Sequence, residues 1–255
     1  MLKIEKFVTP SPEQWEITIE GMRNAMNSWD RMDSSYCDYI PEPGEKCGPE
    51  KSCFGTCYDI GSNDMDLMMR LNKGGAPHAK YRRMLPVHVT VTAPLYWWKE
   101  FETYRIGVAS NPGDIEFNSC STMHKIHAKP FILDDFSHEH LDGIDGDYEL
   151  SLAMTKDGFE RFTPLDSLST TIVLLNEYRK KFLEATDSYL KKEYWWQMIQ
   201  LLPSSYNQKR TIYMNYQVLY EIYEWRRNHK LDEWHTFAHW IEELPYSELI
   251  TGVTE

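Results

Sequence analysis

The sequence has 255 residues, of which 42% are hydrophobic and 26% are charged, and its formal net charge is −12. This composition is that of a globular protein long enough to bury a sizeable core. The negative charge argues against a nucleic-acid backbone as partner, because such partners bind basic surfaces. It leaves open a nucleotide held in a locally basic pocket.

The N-terminal segment MLKIEKFVTPSPEQW lacks the apolar core of a signal peptide. No run of the sequence approaches the ~18 apolar residues that a membrane-spanning helix needs. We therefore expect a cytoplasmic protein.

Residues Leu2 to Val8 are predicted to form a first strand. A helix is expected to follow, because Ser11 can cap it, Pro12 suits its first turn and Glu13 complements its dipole. We expect this helix to continue to about Met32.

The segment from Ser34 to Ser62 is rich in Cys, Pro and Gly and is predicted to be an irregular insertion. It contains four of the five cysteines, namely Cys37, Cys47, Cys53 and Cys57. Structural zinc sites usually pair their thiolates in two C-x2-4-C knuckles, and only the last two cysteines have that spacing. Reduced thiols are therefore the default interpretation, and zinc is the alternative.

A short helix is predicted from Asp64 to Asn72, with Asp64 as a possible cap. The strand that follows alternates Val87, Val89 and Val91 with polar residues and reaches Ala93-Pro94, where proline has no N–H to donate. The aromatic segment LYWWKEFETYR is then predicted to be a helix.

A loop of small polar residues comes next and is closed by His124 and Lys125. Hydroxyls, amides and cations on a loop behind a scaffold element suit an anionic, hydrogen-bonding ligand. The alternative is an ordinary turn rich in Ser and Asn. Cys120 lies in this loop and is either a nucleophile or a small buried hydrophobic residue.

Residues 134–149 are acidic but match a calcium loop only in part, so a solvated loop is the preferred interpretation. Helices are predicted for the remainder, at Ser167–Leu190, Glu193–Leu202, Tyr206–Asn228 and Leu231–Glu243. The pattern indicates an α/β chain without the regular alternation of a doubly wound sheet. We expect one domain over residues 1–255.

His235 and His239 are four residues apart on the last predicted helix and could contribute two ligands to a metal site. The Glu of an H-E-x-x-H motif is absent, which favours packing. Asn215 is expected in the middle of the Tyr206–Asn228 helix, where Asn has a poor propensity. Arg226 lies eleven residues later and would point to the same helix face.

Two distant stretches of this sequence resemble the flavin-dependent thymidylate synthase (ThyX) family. The family signature R-H-R-x-x-S-x-N-x-x-S-x-R follows a strand that ends in Ala-Pro. Here Thr103-Tyr104-Arg105 occupies the R-H-R position after Ala93-Pro94, and the rest is similar to Ser110-Asn111 and Asn118-Ser119-Cys120-Ser121. His124 or Lys125 lies where the terminal arginine belongs.

The downstream part of the resemblance consists of Leu202-Pro203, Tyr206, Asn215 and Arg226 at the family's spacings. Besides Thr103, Tyr104 and the missing terminal arginine, the chain departs from the family at five positions. Family arginines are replaced by Ile199 and Gln217, a family asparagine by Glu221 and a family glutamine by Glu100, and His229 lies one position early.

The resemblance implies an α+β fold with a small central, mostly antiparallel sheet, flanking helices and a helical C-terminal half. It also implies reductive methylation of dUMP to dTMP with methylenetetrahydrofolate, FAD and NADPH, in a homotetramer with composite sites. The alternatives are an enzyme of the same fold acting on another nucleotide or one-carbon donor, and a non-catalytic nucleotide- or protein-binding homolog.

The same resemblance assigns roles to individual residues. Arg105 and Ser121 are the predicted catalytic residues. The predicted cofactor-binding residues are His78, Thr103, Tyr104, Arg105, Asn215 and His229. The predicted substrate-binding residues are Glu100, Ser119, Ser121, His124, Lys125 and Arg226. No metal is predicted.

Overall fold

The computed structural model describes residues 2–38, 56–106, 115–141, 152–155, 158–161 and 163–252, with backbone only at 105–106, 152–155 and 158–161. Cys47, Cys53, Ser110, Asn111 and residues 142–149 of the acidic segment 134–149 therefore lie outside the described residues.

The strands are β1 (Lys3–Val8), β2 (Ser35–Tyr36), β3 (Tyr58–Asp59), β4 (Pro86–Pro94), β5 (Glu116–Ser119), β6 (Leu152–Thr155), β7 (Gly158–Arg161) and β8 (Asn207–Asn215). Four of them form a sheet in the order β1-β4-β8-β5, while β2 with β3 and β6 with β7 form separate antiparallel pairs.

The α-helices are α1 (Pro12–Arg23), α2 (Ser62–Lys73), α3 (Leu95–Phe101), α4 (Thr103–Ile106), α5 (Pro164–Glu184), α6 (Ser188–Leu201), α7 (Tyr216–Arg226), α8 (Asp232–Glu242) and α9 (Glu248–Thr251). This mixture of helices with a small antiparallel sheet confirms the predicted fold class. No helix among the described ranges is both long enough and apolar enough to cross a membrane.

The chain divides into two compact units that alternate along the sequence. Unit 1 consists of residue 1 and residues 92–99 and 119–209, and unit 2 consists of residues 2–91, 100–118 and 210–255. The prediction of one domain over the whole chain stays a prediction.

Unit 2 has a core of aromatic and β-branched side chains. Trp15 of α1, Val89 of β4, Ile212 of β8 and Trp234 of α8 are all at most 1% exposed. Helix α1 begins as predicted, because Ser11 and Gln14 form a reciprocal capping box.

Unit 1 has its own hydrophobic cluster, formed by Ile126, Phe131, Phe136, Leu168, Leu175, Met198 and Tyr206. Ile199, which stands where the resembled family has an arginine, is partly buried and packs against this cluster. An apolar side chain at this position therefore contributes to the core of unit 1.

Two predicted helices were wrong in extent. Residues 207–215 form strand β8 and only Tyr216–Arg226 is helical, so Asn215 ends a strand instead of lying mid-helix. The helix predicted for Ser167–Leu190 ends at Glu184, and Asp187 caps α6 by accepting a hydrogen bond from the Leu190 N–H at 2.8 Å.

The first helix was also predicted too long, since α1 ends at Arg23 and is followed by two short 3-10 turns. Asp64 does not cap α2. The cap position is Gly61, and the Asp33 carboxylate accepts hydrogen bonds from the Asn63 and Asp64 N–H groups. Asp64 instead forms a buried ion pair with Arg23.

Candidate functional site

Glu100, at the end of α3, and Arg226, at the end of α7, meet in unit 2 although 126 residues separate them in sequence. The Arg226 Nη1 donates to Glu100 Oε2 at 3.1 Å. The same carboxylate oxygen accepts from the indole Nε1 of Trp234 at 3.1 Å, and His229 Nε2 lies 3.4 Å from it. Three side chains of the C-terminal segment therefore converge on one carboxylate oxygen.

Tyr104 of α4 contacts a second nitrogen of the Arg226 guanidinium. Its hydroxyl accepts a hydrogen bond from Arg226 Nε at 2.7 Å. Burial raises the pKa of Tyr104, although the hydrogen bond and charge of Arg226 oppose that rise, so the hydroxyl is neutral at physiological pH.

Aromatic rings enclose this cation. The Arg226 guanidinium carbon lies 5.1 Å from the ring centroid of Trp234 and 5.4 Å from that of Tyr104. Trp234 itself stacks nearly parallel on Phe101, at a centroid distance of 6.1 Å. Arg226 is thereby fixed in one orientation and keeps 21% of its side chain exposed.

His229 has a further role in its own turn, because its Nδ1 accepts a hydrogen bond from the Leu231 N–H at 3.2 Å. This contact leaves Nε2 as the nitrogen that faces Glu100. The sequence analysis assigned no role to Trp234 and missed its hydrogen bond to Glu100. No sequence signal distinguished it from the neighbouring tryptophans.

Asn215 caps the N-terminus of α7. Its Oδ1 accepts from the Val218 N–H at 3.1 Å, and the residue is 0% exposed. Its Nδ2 and the Oε1 of Gln217 have no hydrogen-bond partner within the described residues. The flavin contact predicted for Asn215 stays a prediction, whereas the capping role explains why an Asn stands at this position.

Gln217 and Glu221, two of the departures from the family pattern, contact each other. The Gln217 Nε2 donates to Glu221 Oε1 at 3.0 Å inside α7, and both residues are buried. The two changes therefore form a hydrogen-bonded pair at the helix spacing of four residues.

Arg82 is a buried cation that the sequence reasoning missed. It is 2% exposed, and its guanidinium carbon lies 4.1 Å from the ring centroid of Tyr220. Burial lowers its pKa, and its Nε has no hydrogen-bond partner in the part of the chain that the structure describes. The pair Arg82-Arg83 between a glycine-rich turn and a strand was the signal available in the sequence.

His78 is exposed and packs against Gly74, where an added Cβ would come within 3.1 Å of its ring. It lines a cleft of about 260 Å³ in unit 2 together with Met22, Tyr81 and Met84. This volume lies just below the ~300 Å³ at which small-molecule pockets begin, so the cleft has room for one ring system.

Of the predicted R-H-R positions, Thr103 is exposed and its hydroxyl donates to the Glu100 carbonyl at 2.7 Å. Arg105 lies in α4, and its side chain is outside the described part of the structure.

The other predicted substrate-binding residues belong to unit 1. Ser119, Ser121, His124 and Lys125 are all exposed. The Ser121 hydroxyl accepts from the Lys125 N–H at 3.2 Å, which closes the turn. The Cys120 thiol is exposed, so the alternative of a buried hydrophobic cysteine was wrong. Its role as a nucleophile stays a prediction.

The structure gives the surroundings of the two histidines that were considered as part of a metal site on the last helix. His235 and His239 are both exposed and lie beside Asp232 and Glu242, respectively. Within the described ranges no group of three or more His, Cys, Asp or Glu residues is placed to hold a metal ion.

The contacts that hold Arg226 in unit 2 determine how an anion can reach it. A guanidinium held at Nε and Nη1 between aromatic rings is oriented for one further partner. The Glu100 carboxylate neutralises this cation, so an incoming anion reaches Arg226 only in competition with Glu100.

The chain matches known proteins by structure and not by sequence. No sequence profile of a known family matches the chain, and no curated protein sequence matches it significantly. A crystal structure of flavin-dependent thymidylate synthase ThyX from Helicobacter pylori complexed with FAD and dUMP superimposes with a TM-score of 0.53 at 13% identity. A second structure of the same enzyme with FAD and dUMP gives 0.52 at 13% identity. Each match covers 98% of this chain and 96% of the other. The chain therefore has a fold similar to that of flavin-dependent thymidylate synthase, as the resemblance predicted.

Proposed function

We propose that the chain is a divergent flavin-dependent enzyme that reductively methylates a pyrimidine nucleotide, dUMP to dTMP, with methylenetetrahydrofolate, FAD and NADPH. The observation that carries the proposal is the meeting of Arg226 with Glu100 and Tyr104. These residues come from the two sequence stretches that resemble the family, and their contacts in unit 2 join those stretches at one cation.

In this proposal Arg226 binds the phosphate of the nucleotide. Its remaining exposed surface, its fixed orientation and its planar fork suit a phosphate oxygen pair. Tyr104 holds the guanidinium through its Nε, and Glu100 holds it until the phosphate arrives. The resemblance adds Ser119, Ser121, His124 and Lys125 as further substrate contacts.

The residues present fit a flavin in two respects. The cleft beside His78 is lined by methionine and tyrosine side chains and has room for one planar ring system. The buried Asn215 Nδ2 and Gln217 Oε1 are a donor and an acceptor without partners in the described residues, as expected beside a polar ligand group. When bound, FAD supplies the hydride carrier, whereas the chain binds, orients and excludes water.

Arg105, Thr103 and His229 are proposed to contact the cofactor, with Arg105 and Ser121 as catalytic residues. We also propose a cytoplasmic homotetramer, in which neighbouring copies would complete each site. Both statements follow from the family resemblance.

The contact between Glu100 and Arg226 favours a second candidate, an enzyme of the same fold with a different nucleotide or one-carbon donor. A carboxylate that already neutralises the arginine lowers the affinity for a phosphate dianion. A ligand with less charge at this position would avoid that competition.

The experiment begins with the absorbance spectrum of the purified protein between the near-UV and the blue. A flavoenzyme is yellow, or gains thermal stability when FAD is added. Release of tritium from C5-labelled dUMP, compared with UMP and dCMP, then identifies the substrate. A colourless protein that FAD does not stabilise and that releases no tritium would refute the proposal in favour of a non-catalytic binding module.

A further inference from the structure

The loop around His127 in unit 1 is held against two helices. The Arg179 Nε of α5 donates to the His127 carbonyl at 2.9 Å. The His127 ring lies 4.5 Å from the ring of Phe182, also on α5, and the Trp195 indole of α6 donates to the Met123 carbonyl at 3.0 Å. These contacts fix the loop on both helices.

Cations from all three of these elements surround His127. Lys191 of α6 places its Nζ 5.1 Å from the Phe182 ring centroid, on the ring that His127 also contacts. Arg179 approaches from α5, and Lys125 lies two residues earlier in the loop. Burial and then the charges of Lys125, Arg179 and Lys191 lower the pKa of His127, so all three cations act on the same imidazole.

These three cations are not neutralised inside the described part of the chain. The ion pairs found there include the nearby Lys129 with Asp135, but none involves Lys125, Arg179 or Lys191. Arg179 uses only its Nε, which leaves the other two guanidinium nitrogens for another acceptor. Such a concentration of positive charge is unusual in a chain whose net charge is −12.

The His127 side chain has a polar atom without a hydrogen-bond partner among the described residues. Its Nδ1 is buried and has no hydrogen-bond partner among the residues described. Buried polar atoms in native proteins usually have a partner, so an orphan next to a group of cations indicates a missing polar group.

We propose that Lys125, His127, Arg179 and Lys191 form a binding site for a small phosphate-bearing anion. Arginine presents a planar fork that matches phosphate, lysine adds a mobile point charge, and a protonated imidazole adds a donor. The site takes a terminal phosphate or a phosphate monoester, and its existence does not depend on flavin chemistry. Lys125 belongs also to the proposed nucleotide contacts, so the phosphate has two possible sources, the pyrimidine nucleotide or another phosphate compound.

The test follows the side-chain resonances of His127 by NMR in the full-length protein while inorganic phosphate is added at constant ionic strength. The His127 signal is assigned by its loss in His127→Gln. We expect a saturable shift in the direction of protonation, because a bound anion stabilises the imidazolium. Binding should weaken as salt is raised.

Matched variants separate a site from a diffuse basic surface. Arg179→Gln and Lys191→Gln should each weaken phosphate binding about tenfold, as expected for the loss of one charge-assisted hydrogen bond. The neighbours Lys180 and Lys192 are exposed and lie on the same two helices, so Lys180→Gln and Lys192→Gln should stay within about twofold.

The proposal is overturned if phosphate gives no saturable shift of His127, or if the two control variants weaken binding as much as the other two. Titrations with dUMP and with deoxyuridine identify the source of the phosphate. Tighter binding of dUMP than of inorganic phosphate assigns the site to the nucleotide, and equal binding assigns it to another phosphate compound. Failure of the proposed methylation would leave the phosphate titration unaffected.

Discussion

Replacing Glu100 by Gln should tighten the binding of dUMP while leaving that of deoxyuridine unchanged. Glu100 Oε2 now accepts from Arg226 and Trp234 at 3.1 Å each, and the amide oxygen of Gln can keep both hydrogen bonds. The variant therefore removes the negative charge and preserves the geometry around Arg226.

The size of the expected gain in dUMP affinity follows from the distance between Glu100 and Arg226 and from their exposure to solvent. Two unit charges about 4 Å apart interact by about 4 kcal/mol at the effective dielectric constant of about 20 that applies near a protein surface. The side chains of Glu100 and Arg226 are 36% and 21% exposed, so solvent screens a large part of this energy. The remaining Glu100–Arg226 attraction of about 1–2 kcal/mol no longer competes with the phosphate in the variant, which corresponds to a gain in dUMP affinity of roughly five- to thirtyfold.

Isothermal titration calorimetry with dUMP and deoxyuridine measures both arms of this prediction. Glu102→Gln is the matched control, because Glu102 lies two residues away, is 49% exposed and pairs with Arg210 instead. If Glu100→Gln binds dUMP no more tightly than the wild type and Glu102→Gln do, Glu100 does not compete with the phosphate and Arg226 is not its binding group.

Three further substitutions test the architecture around the site. Asp64→Asn should cost about 3–5 kcal/mol in urea unfolding because it leaves buried Arg23 without its counter-ion, whereas Asp66→Asn, in an exposed pair, should stay within about 0.5 kcal/mol. Equal losses would contradict the assignment of the first pair as buried. Ile199→Arg should lower the melting temperature by overfilling the unit 1 core, at a cost of about 1–3 kcal/mol, without any gain in dUMP affinity. A rise in affinity would show that the position still faces the nucleotide. Burial raises the pKa of Glu248, so its ionisation opposes folding, and this penalty grows as the pH rises above the ordinary carboxyl range. Glu248→Gln should therefore be more stable than the wild type at pH 8 and equally stable at pH 4, as measured by thermal unfolding, and a constant difference would refute this.

Local signals in the sequence predicted the elements that begin or end with a strong structural residue. The capping box at Ser11 and the valine alternation before Pro94 both lead to elements that the structure contains. In these places, backbone hydrogen bonding and side-chain pattern favour the same conformation, so tertiary contacts have little to change.

Strand β8 was mistaken for a helix because its buried face is partly polar. Residues 207–215 alternate in burial with a period of two, yet Gln208 and Arg210 occupy two of the buried positions. Their partners are distant in sequence. Gln208 donates to the Cys120 carbonyl, and Arg210 pairs with Glu102. A hydrophobicity pattern cannot reveal a strand whose inward-facing polar groups are satisfied by other segments.

The spacing of the motif residues predicted which segments belong together, but it did not predict how they interact. Arg226 and Tyr104 were both assigned to the site from the resemblance, and the structure brings them into a hydrogen bond. The role of Glu100 as the partner of Arg226 was missed, because a residue-by-residue comparison treats each departure alone.

The departures from the family pattern are explained by the contacts that the substituted residues make. Glu100 forms an ion pair with Arg226, Gln217 hydrogen-bonds to Glu221, and Ile199 packs on the unit 1 core. Partners that hold Arg226 in one geometry reduce the cost of ordering it when a ligand binds. Here Glu100 pairs with Arg226 and Gln217 Nε2 donates to Glu221, while Gln217 Oε1 has no partner within the described residues. The ion pair costs binding energy for an anion and gains a fixed geometry. This balance favours a site that still binds a ligand, with its affinity for phosphate reduced by Glu100.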